Sequence, residues 1–417
     1  MRIELHIEEK IGHLLEWLGA FGKDPGGGIS RLLYTQEWLD AQKALEKLFL
    51  EAGLEVHYDA IGNLFGQLQG SRYKEETILT GSHIDTVKNG GLYDGQYGII
   101  AGFLAIQYLQ EKYGQPLRNL EVVSIAEEEG SRFPVSFWGS NNIVGEYSGE
   151  DMRNVHDFDG IPFVEAMHQA GFDFPPQSQR VRSDLKAFIE LHVEQGGVLE
   201  RERKSVGIVR HIVGQRRYTI VVTGEANHAG TTPMKYRKDA GQAAFRMAQA
   251  VHELAVAHGE PLVATVGKIN LQPNIANVVP GQATFTLDVR HIDQGELEDF
   301  TDQALADMQQ IARKVGVKIE IDQWVDTAPV AMDERLAIVL KEQCEQSGIS
   351  YKMMHSGAGH DAQVMAAHMP STMLFVPSRR GISHSPHEYT DPKDLARGVQ
   401  VLIRTLYHLA YKEEMLS

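Results

Sequence analysis

Apolar residues recur at helical spacing near the start of the chain. Ile7, Ile11, Leu14, Leu15 and Leu18 share a face while Glu8, Glu9 and Glu16 fall mainly elsewhere, which predicts an opening helix. Residues 35–52 repeat the pattern with Trp38, Ala41, Leu45 and Leu48, and Gly53 stands where a helix normally terminates. Short β-like runs at 64–68 and 77–81 then precede a helical stretch near 97–111 and an apolar strand at 120–126. Such alternation predicts an α/β domain built on a mostly buried sheet.

The segment from about 216 to 323 has a different order. A strand at 218–223, a helix at 239–258 and strands at 262–270 and 283–290 are followed by a helix at 295–315 and a strand at 317–322. This β-α-β-β-α-β order is that of a ferredoxin-like module. Its strand 284–290 alternates cleanly, with Phe285, Leu287 and Val289 on one side and Thr284, Thr286, Asp288 and Arg290 on the other. After Pro329 the α/β texture resumes with a helix through Cys344, a strand at 372–376 and a final helix at 392–412. The expected architecture is therefore two-domain. An α/β domain with a mixed sheet comprises residues 1–212 and 330–417, interrupted by an inserted ferredoxin-like α+β domain at 213–329. Internal repeats and low-complexity tracts are absent from the sequence.

Composition narrows the function. The 417 residues include 40 basic and 56 acidic side chains, a formal charge of −16 that argues against nucleic acid or anionic membrane as partner. One cysteine against 18 histidines excludes an intrachain disulfide and a thiolate-rich zinc site, so nitrogen and oxygen must hold any metal. No run of about 18 apolar residues predicts a membrane span. Residues 1–16 mix charge through their apolar positions, unlike a signal peptide, and a cytoplasmic protein is expected.

Ligand-type residues gather where strands are predicted to end. His83 and Asp85, after the strand 77–81, point the same way on continued strand geometry, so the carboxylate can receive one imidazole N–H while the other nitrogen binds a metal. A capping Asp beside a core His satisfies the same spacing. Asp94 sits in a glycine-rich turn, open to two cations at once. Glu127, Glu128 and Glu129 follow the strand 120–126 and must be solvated or neutralised by a cation; one of them can ligate a metal and its neighbour serve as general base. His192 and His384 stand at two further strand ends. His83, Asp94, Glu129, His192 and His384 make five N/O ligands, the number for two divalent cations sharing one carboxylate, an arrangement suited to hydrolysis. In the inserted module, His228 within Asn227–Pro233 is either a surface His in a Gly-Thr-Pro turn or a donor to an oxyanion. Arg290 is either solvated or a planar fork for a substrate carboxylate. Cys344 falls in a helical pattern and reads as an inert packing residue.

Taken together, GSHIDTV (81–87), LYDGQYG (92–98), EEEGSRF (127–133), ELHVEQG (190–196), NHAGTTPM (227–234), SGAGHDA (356–362) and GISHSP (381–386) resemble the M20 family of dinuclear metallohydrolases, and within it the amidase branch. The resemblance spans nearly the whole chain. It implies that His83, Asp94, Glu129, His192 and His384 are metal ligands with Asp94 bridging, that Asp85 supports His83, and that Glu128 is the general base. It implies two divalent ions per subunit, manganese or zinc, with cobalt also suited. Gln195, Asn277, Arg290 and His360 match substrate-contacting positions, with Arg216 and Arg217 as further carboxylate binders. His228 matches a residue that reaches the active site of the other subunit, implying a homodimer through the inserted lid domain. The segments 28–42, 127–140 and 212–219 look most like members that hydrolyse allantoate, a small anionic ureide of purine catabolism. Hydrolysis of N-carbamoyl-L-amino acids or β-ureidopropionate is the alternative activity, and a non-catalytic binding protein on the same fold is an alternative of a different class.

Overall fold

The computed structural model describes residues 2–146, 152–174 and 182–415, with side chains from Ile7 onward. The outermost residues of the expected first domain, Met1 and Ser417, lie outside the described residues. The chain divides into two units, one formed by Met1–Arg210 with Ala331–Ser417 and the other by His211–Val330.

In the first unit the chain runs α1 (Arg2–Gly19), α2 (Gln36–Glu51), β1 (Glu55–Tyr58), β2 (Leu64–Leu68), β3 (Tyr73–His83), α3 (Gln96–Tyr113) and β4 (Arg118–Ile125). It continues through the short helices α4 (Trp138–Val144) and α5 (Phe163–Gln169), β5 (Leu185–Val193), α6 (Val198–Glu202) and β6 (Val206–Ile212). The opening helix buries Ile7, Ile11, Leu15 and Leu18, the face its periodicity defines. Thr35 caps α2, its side chain accepting from the Trp38 amide, and Trp38, Ala41, Leu45 and Phe49 are buried beneath it. Each such apolar side chain contributes about 1.5–3 kcal/mol on burial.

The second unit holds β7 (Gly214–Thr223), β8 (Asn227–His228), α7 (Ala240–His258), β9 (Val263–Thr265), β10 (Ile269–Gln272), β11 (Val278–Val279), β12 (Gln282–His291), α8 (Gln294–Val315) and β13 (Lys318–Thr327). Its antiparallel sheet has the order β10-β12-β7-β13, with β9 also on β12. On β12, Ala283, Phe285, Leu287 and Val289 are buried and pack with α7 and α8 into a separate core. Two details differ from the sequence-based expectation. The run expected as one strand over 262–270 is two short strands, because its pairing with β12 shifts by one residue between Thr265, opposite Asp288, and Ile269, opposite Phe285. A small β8–β11 ribbon, pairing His228 with Val278, is too short to leave a periodic signal.

The chain then returns to the first unit through β14 (Val330–Ala331), α9 (Glu334–Ser347), β15 (Tyr351–Ser356), α10 (Asp361–Ala366), β16 (Ser371–Val376) and α11 (Pro392–Tyr411). The nine-stranded mixed sheet has the order β1-β2-β4-β3-β5-β16-β6-β14, with β15 paired to β6. Its centre, β4, β3, β5 and β16, is parallel, and β2 and β6 flank it antiparallel. Helix α3 is buried on nearly every side from Gln96 to Ile106. Gly98 lets it lie against the sheet, since a Cβ there would meet Ser82 and the Leu191 carbonyl. The four parallel strands share a direction, so their carboxyl ends open on one edge, where an α/β sheet presents ligand-binding loops.

Candidate metal centre

That edge gathers the candidate ligands. Strand β3 ends on His83, β4 runs directly into Glu127–Glu129, β5 carries His192 as its penultimate residue, and the chain after β16 leads to His384. The Asp94 turn, just before α3, completes the group. His83, Asp85, Asp94, Glu128 and His192 are all buried, each less than a tenth exposed.

Asp94 is the centre of the cluster. Its Oδ1 lies 3.5 Å from His83 Nε2 and 3.2 Å from His192 Nε2, and its Oδ2 lies 3.2 Å from His384 Nε2. His384 Nε2 is also 3.2 Å from Glu129 Oε1. Two sets of ligand-type atoms therefore share Asp94: His83, Asp94 and His192 on one side, and Asp94, Glu129 and His384 on the other, each gathered within 4.8 Å. His83, Glu128 and Glu129 form a further such group, as do Glu190, His192 and His360.

The tautomers show what the cluster requires. His83 Nδ1 is 3.0 Å from the Asp85 carbonyl and 3.3 Å from its carboxylate, and His192 Nδ1 is 2.9 Å from the Val193 carbonyl. Both Nδ1 atoms face acceptors and so carry protons, which leaves each Nε2 lone pair aimed at Asp94. Asp94 Oδ1 is buried without a hydrogen-bond partner of its own. Acceptors facing acceptors in a dry site demand a positive charge between them. The histidines register that demand. Burial alone would lower His83, yet Asp85 and Asp94 hold it well above the usual imidazole range. His384 is pushed up to about 10 by Asp94 and Glu129. A divalent cation answers the same need, and the residues fit one on each side of Asp94.

Asp85 organises the acidic side of the cluster. Besides facing His83, its two oxygens accept the backbone N–H groups of Glu128 (3.0 Å) and Glu129 (3.1 Å), fixing both glutamates relative to the imidazole. Burial holds the Glu128 carboxyl well above the usual carboxylate range; His83 opposes this and the charge of Glu129 adds to it. Gln195 donates from Nε2 to Asp94 Oδ2 at 2.9 Å and lies 3.3 Å from His384 Nε2. Gln195 and His384 both have positive φ, 56° and 52°, a conformation that side-chain-bearing residues keep chiefly where function requires it. His360 is buried beside His192, ring centroids 4.6 Å apart, with Nε2 3.1 Å from the Ser356 hydroxyl. Burial, with His192 packed beside it, holds it well below the usual imidazole range.

The second unit holds the other candidates. His228 is exposed, and its Nδ1 accepts from the backbone N–H groups of Gly230 (3.1 Å) and Thr231 (3.2 Å). An accepting Nδ1 fixes the proton on Nε2, leaving an outward N–H donor. Asn277 is exposed, and its carbonyl receives the Ala229 amide, which holds that turn. Arg290 and Arg217 converge on Asp288, at 2.9 and 2.8 Å. Arg216 points elsewhere, bound by Asp326, Glu298 and the Thr301 hydroxyl.

Several neighbours of the centre escape sequence reasoning. Arg31 is fully buried and donates to the carbonyls of Leu18 and Ile84 and to Gln96 Oε1, tying the loops that bear His83 and Asp94. Buried Glu190 accepts from Ser82 Oγ and from the Ala362 amide beneath His192. Asp361 and Glu388 are buried as well. Glu388 carried a signal, standing four residues beyond His384. Arg31, 53 residues before its carbonyl acceptor on Ile84, carried none.

An α/β fold with a mixed sheet, an inserted βαββαβ unit and a carboxylate–imidazole cluster at the parallel strand ends defines the class. The chain belongs to peptidase family M20/M25/M40, which residues 79–408 match. It is 50% identical over 408 residues to the allantoate amidohydrolase of Escherichia coli (strain K12), covering 98% of this chain and 99% of that one. It is 46% identical to the allantoate amidohydrolase of Bacillus subtilis (strain 168), covering 98% and 99%. Among solved structures, an amidase of the hydantoinase/carbamoylase family from Burkholderia multivorans matches with a TM-score of 0.90 and 34% identity, covering 95% of this chain and 96% of that one.

Proposed function

We propose that the protein is an amidohydrolase that cleaves the terminal ureido group of allantoate with water, giving ureidoglycine, ammonia and carbon dioxide. The observation that carries this reading is the buried Asp94 shared between two ligand sets, in a chain half identical to an allantoate amidohydrolase. Two divalent ions, manganese or zinc, with cobalt also suited to N/O donors, would be held by His83, Asp94 and His192 and by Asp94, Glu129 and His384. When bound, they supply Lewis acidity that polarises the ureido carbonyl and acidifies water.

The chain's own residues do the rest. Glu128, a raised carboxylate clamped by Asp85, takes a proton from the attacking water and returns it to the departing nitrogen. His228 of the partner subunit donates its Nε2–H to the developing oxyanion. Arg290, with Arg217 and Asn277, receives the substrate carboxylate, and Gln195 and His360 complete the contacts.

The homodimer this requires has a surface suited to it. Phe245 and Val256, three turns apart on one face of α7, are exposed, as is Ile269 on the edge strand β10. Light scattering on the purified protein should give twice the chain mass. Ammonia release is to be compared between allantoate and N-carbamoyl-L-amino acids, with manganese supplied. Allantoate should be turned over faster. Turnover of N-carbamoyl substrates alone would move the protein to the carbamoylases, and no turnover of either would leave a binding protein.

A further inference from the structure

Glu388 lies outside both ligand sets but touches each. Its Oε2 accepts the backbone N–H groups of Tyr93 (2.8 Å) and Asp94 (3.1 Å), and its Oε1 accepts the Ser383 hydroxyl (3.0 Å). The same hydroxyl lies 3.3 Å from Asp94 Oδ2. Glu388 itself closes a turn, its amide donating to the Ser385 carbonyl at 3.0 Å, with His384 between Ser383 and that turn. One buried carboxylate thus binds the backbone of Asp94 and, across 294 residues of sequence, the loop that carries His384.

The sequence makes room for it. A Cβ on Gly91 would collide with the Glu388 carboxylate, although Gly91 is not among the residues with left-handed backbone. The glycine is required there for what lies opposite it, not for its own conformation. His384 needs such an anchor, because its φ of 52° is unfavourable for a residue with a side chain.

We infer that Glu388 is a positioning residue that assembles the ion site formed by Asp94, Glu129 and His384, and that Gly91 serves it by leaving its carboxylate in place. The inference rests on the metal-centre reading above. In the other set His83 and His192 hang on β3 and β5, which are fixed by the sheet, and only Asp94 is shared, so the loss of Glu388 falls chiefly on the ion that also needs the His384 loop. Outer partners of metal ligands typically govern about 10- to 100-fold in affinity.

The test is cobalt binding to the metal-free protein, followed by visible absorption and chelator competition, with a melt of each variant before metal is added. E388A should bind one ion as the unaltered protein does and the second about 10- to 100-fold more weakly. G91A, which leaves the glutamate in the sequence but displaces it, should weaken the same ion. G91A combined with E388A should show no loss beyond E388A alone, because the glycine acts only through the glutamate. E388Q, whose amide oxygen can still accept from Tyr93 and Asp94, should recover most of the affinity. It carries the test with G91A if E388A does not fold. Unchanged affinity for both ions in E388A and G91A, or additive losses in the double variant, would overturn the inference. D94A separates the two claims: it should lose both ions, and normal binding of two ions by D94A would refute the metal-centre reading itself.

Discussion

The two units place their polar residues under opposite conditions. In the first, strands run parallel and their ends converge, so His83, Asp94, Glu128 and His192 are buried against one another with unsatisfied acceptors. In the second, the sheet is antiparallel and its charges are paired across it. Asp288 sits opposite Arg217 in register and two residues from Arg290, and these partners hold it below the usual carboxylate range despite its burial. One unit keeps a buried acceptor, Asp94 Oδ1, without a hydrogen-bond partner. The other is neutralised around Asp288, whose partners Arg217 and Arg290 can receive an anionic group while shared with that carboxylate. Buried like charge is tolerated where a ligand will repay it; exposed charge is neutralised locally.

That contrast can be broken most severely by chelation. Stripping divalent ions should abolish turnover and lower the unfolding midpoint of the first unit while leaving that of the second unchanged, as two calorimetric transitions would reveal. An ion present at 100 times its dissociation constant contributes about 2.7 kcal/mol. Next in size, Glu128→Gln should reduce turnover by about 10²- to 10⁴-fold with metal content intact by elemental analysis. Retained turnover would remove the base from Glu128. Arg290→Ala should act through KM, costing about 1.5–3 kcal/mol in kcat/KM if it meets a carboxylate, and an uncharged ureide should be indifferent to it. Smallest of all, Arg216→Ala should leave steady-state kinetics within twofold and lower stability by up to about 1 kcal/mol, since its contacts with Asp326 and Glu298 are partly exposed.

What the sequence displays of all this follows the range of each interaction. The alternation of β12 and the apolar face of α1 are local and were legible, as was the strand at Leu64–Leu68. The five candidate ligands stood out too, four because each comes after an apolar run that announces a strand end and Asp94 because it sits in a glycine-rich turn. Residues whose meaning lies in a distant partner were not. Arg31 looks like any surface arginine until Ile84 and Gln96 close around it, and Glu388, whose one signal is its nearness to His384, shows its partner when the Asp94 amide arrives. The break between β9 and β10 was hidden because it is a one-residue shift in pairing with β12, a distant strand.

One feature of the backbone bears on how such a chain arises. The first unit surrenders the chain at Arg210 and recovers it at Ala331, and the amide of the next residue, Met332, donates to the Arg210 carbonyl at 2.8 Å. Within the second unit, Gln215 and Thr327 are likewise paired neighbours. To the first unit, 120 residues of folded protein are therefore equivalent to the loop of a hairpin. Loop closure grows only logarithmically, by about 0.6 kcal/mol per doubling of length. The inserted unit can thus lengthen, shorten or be exchanged with little penalty to the sheet that hosts it, leaving selection free to remodel it while the parallel strand ends stay fixed.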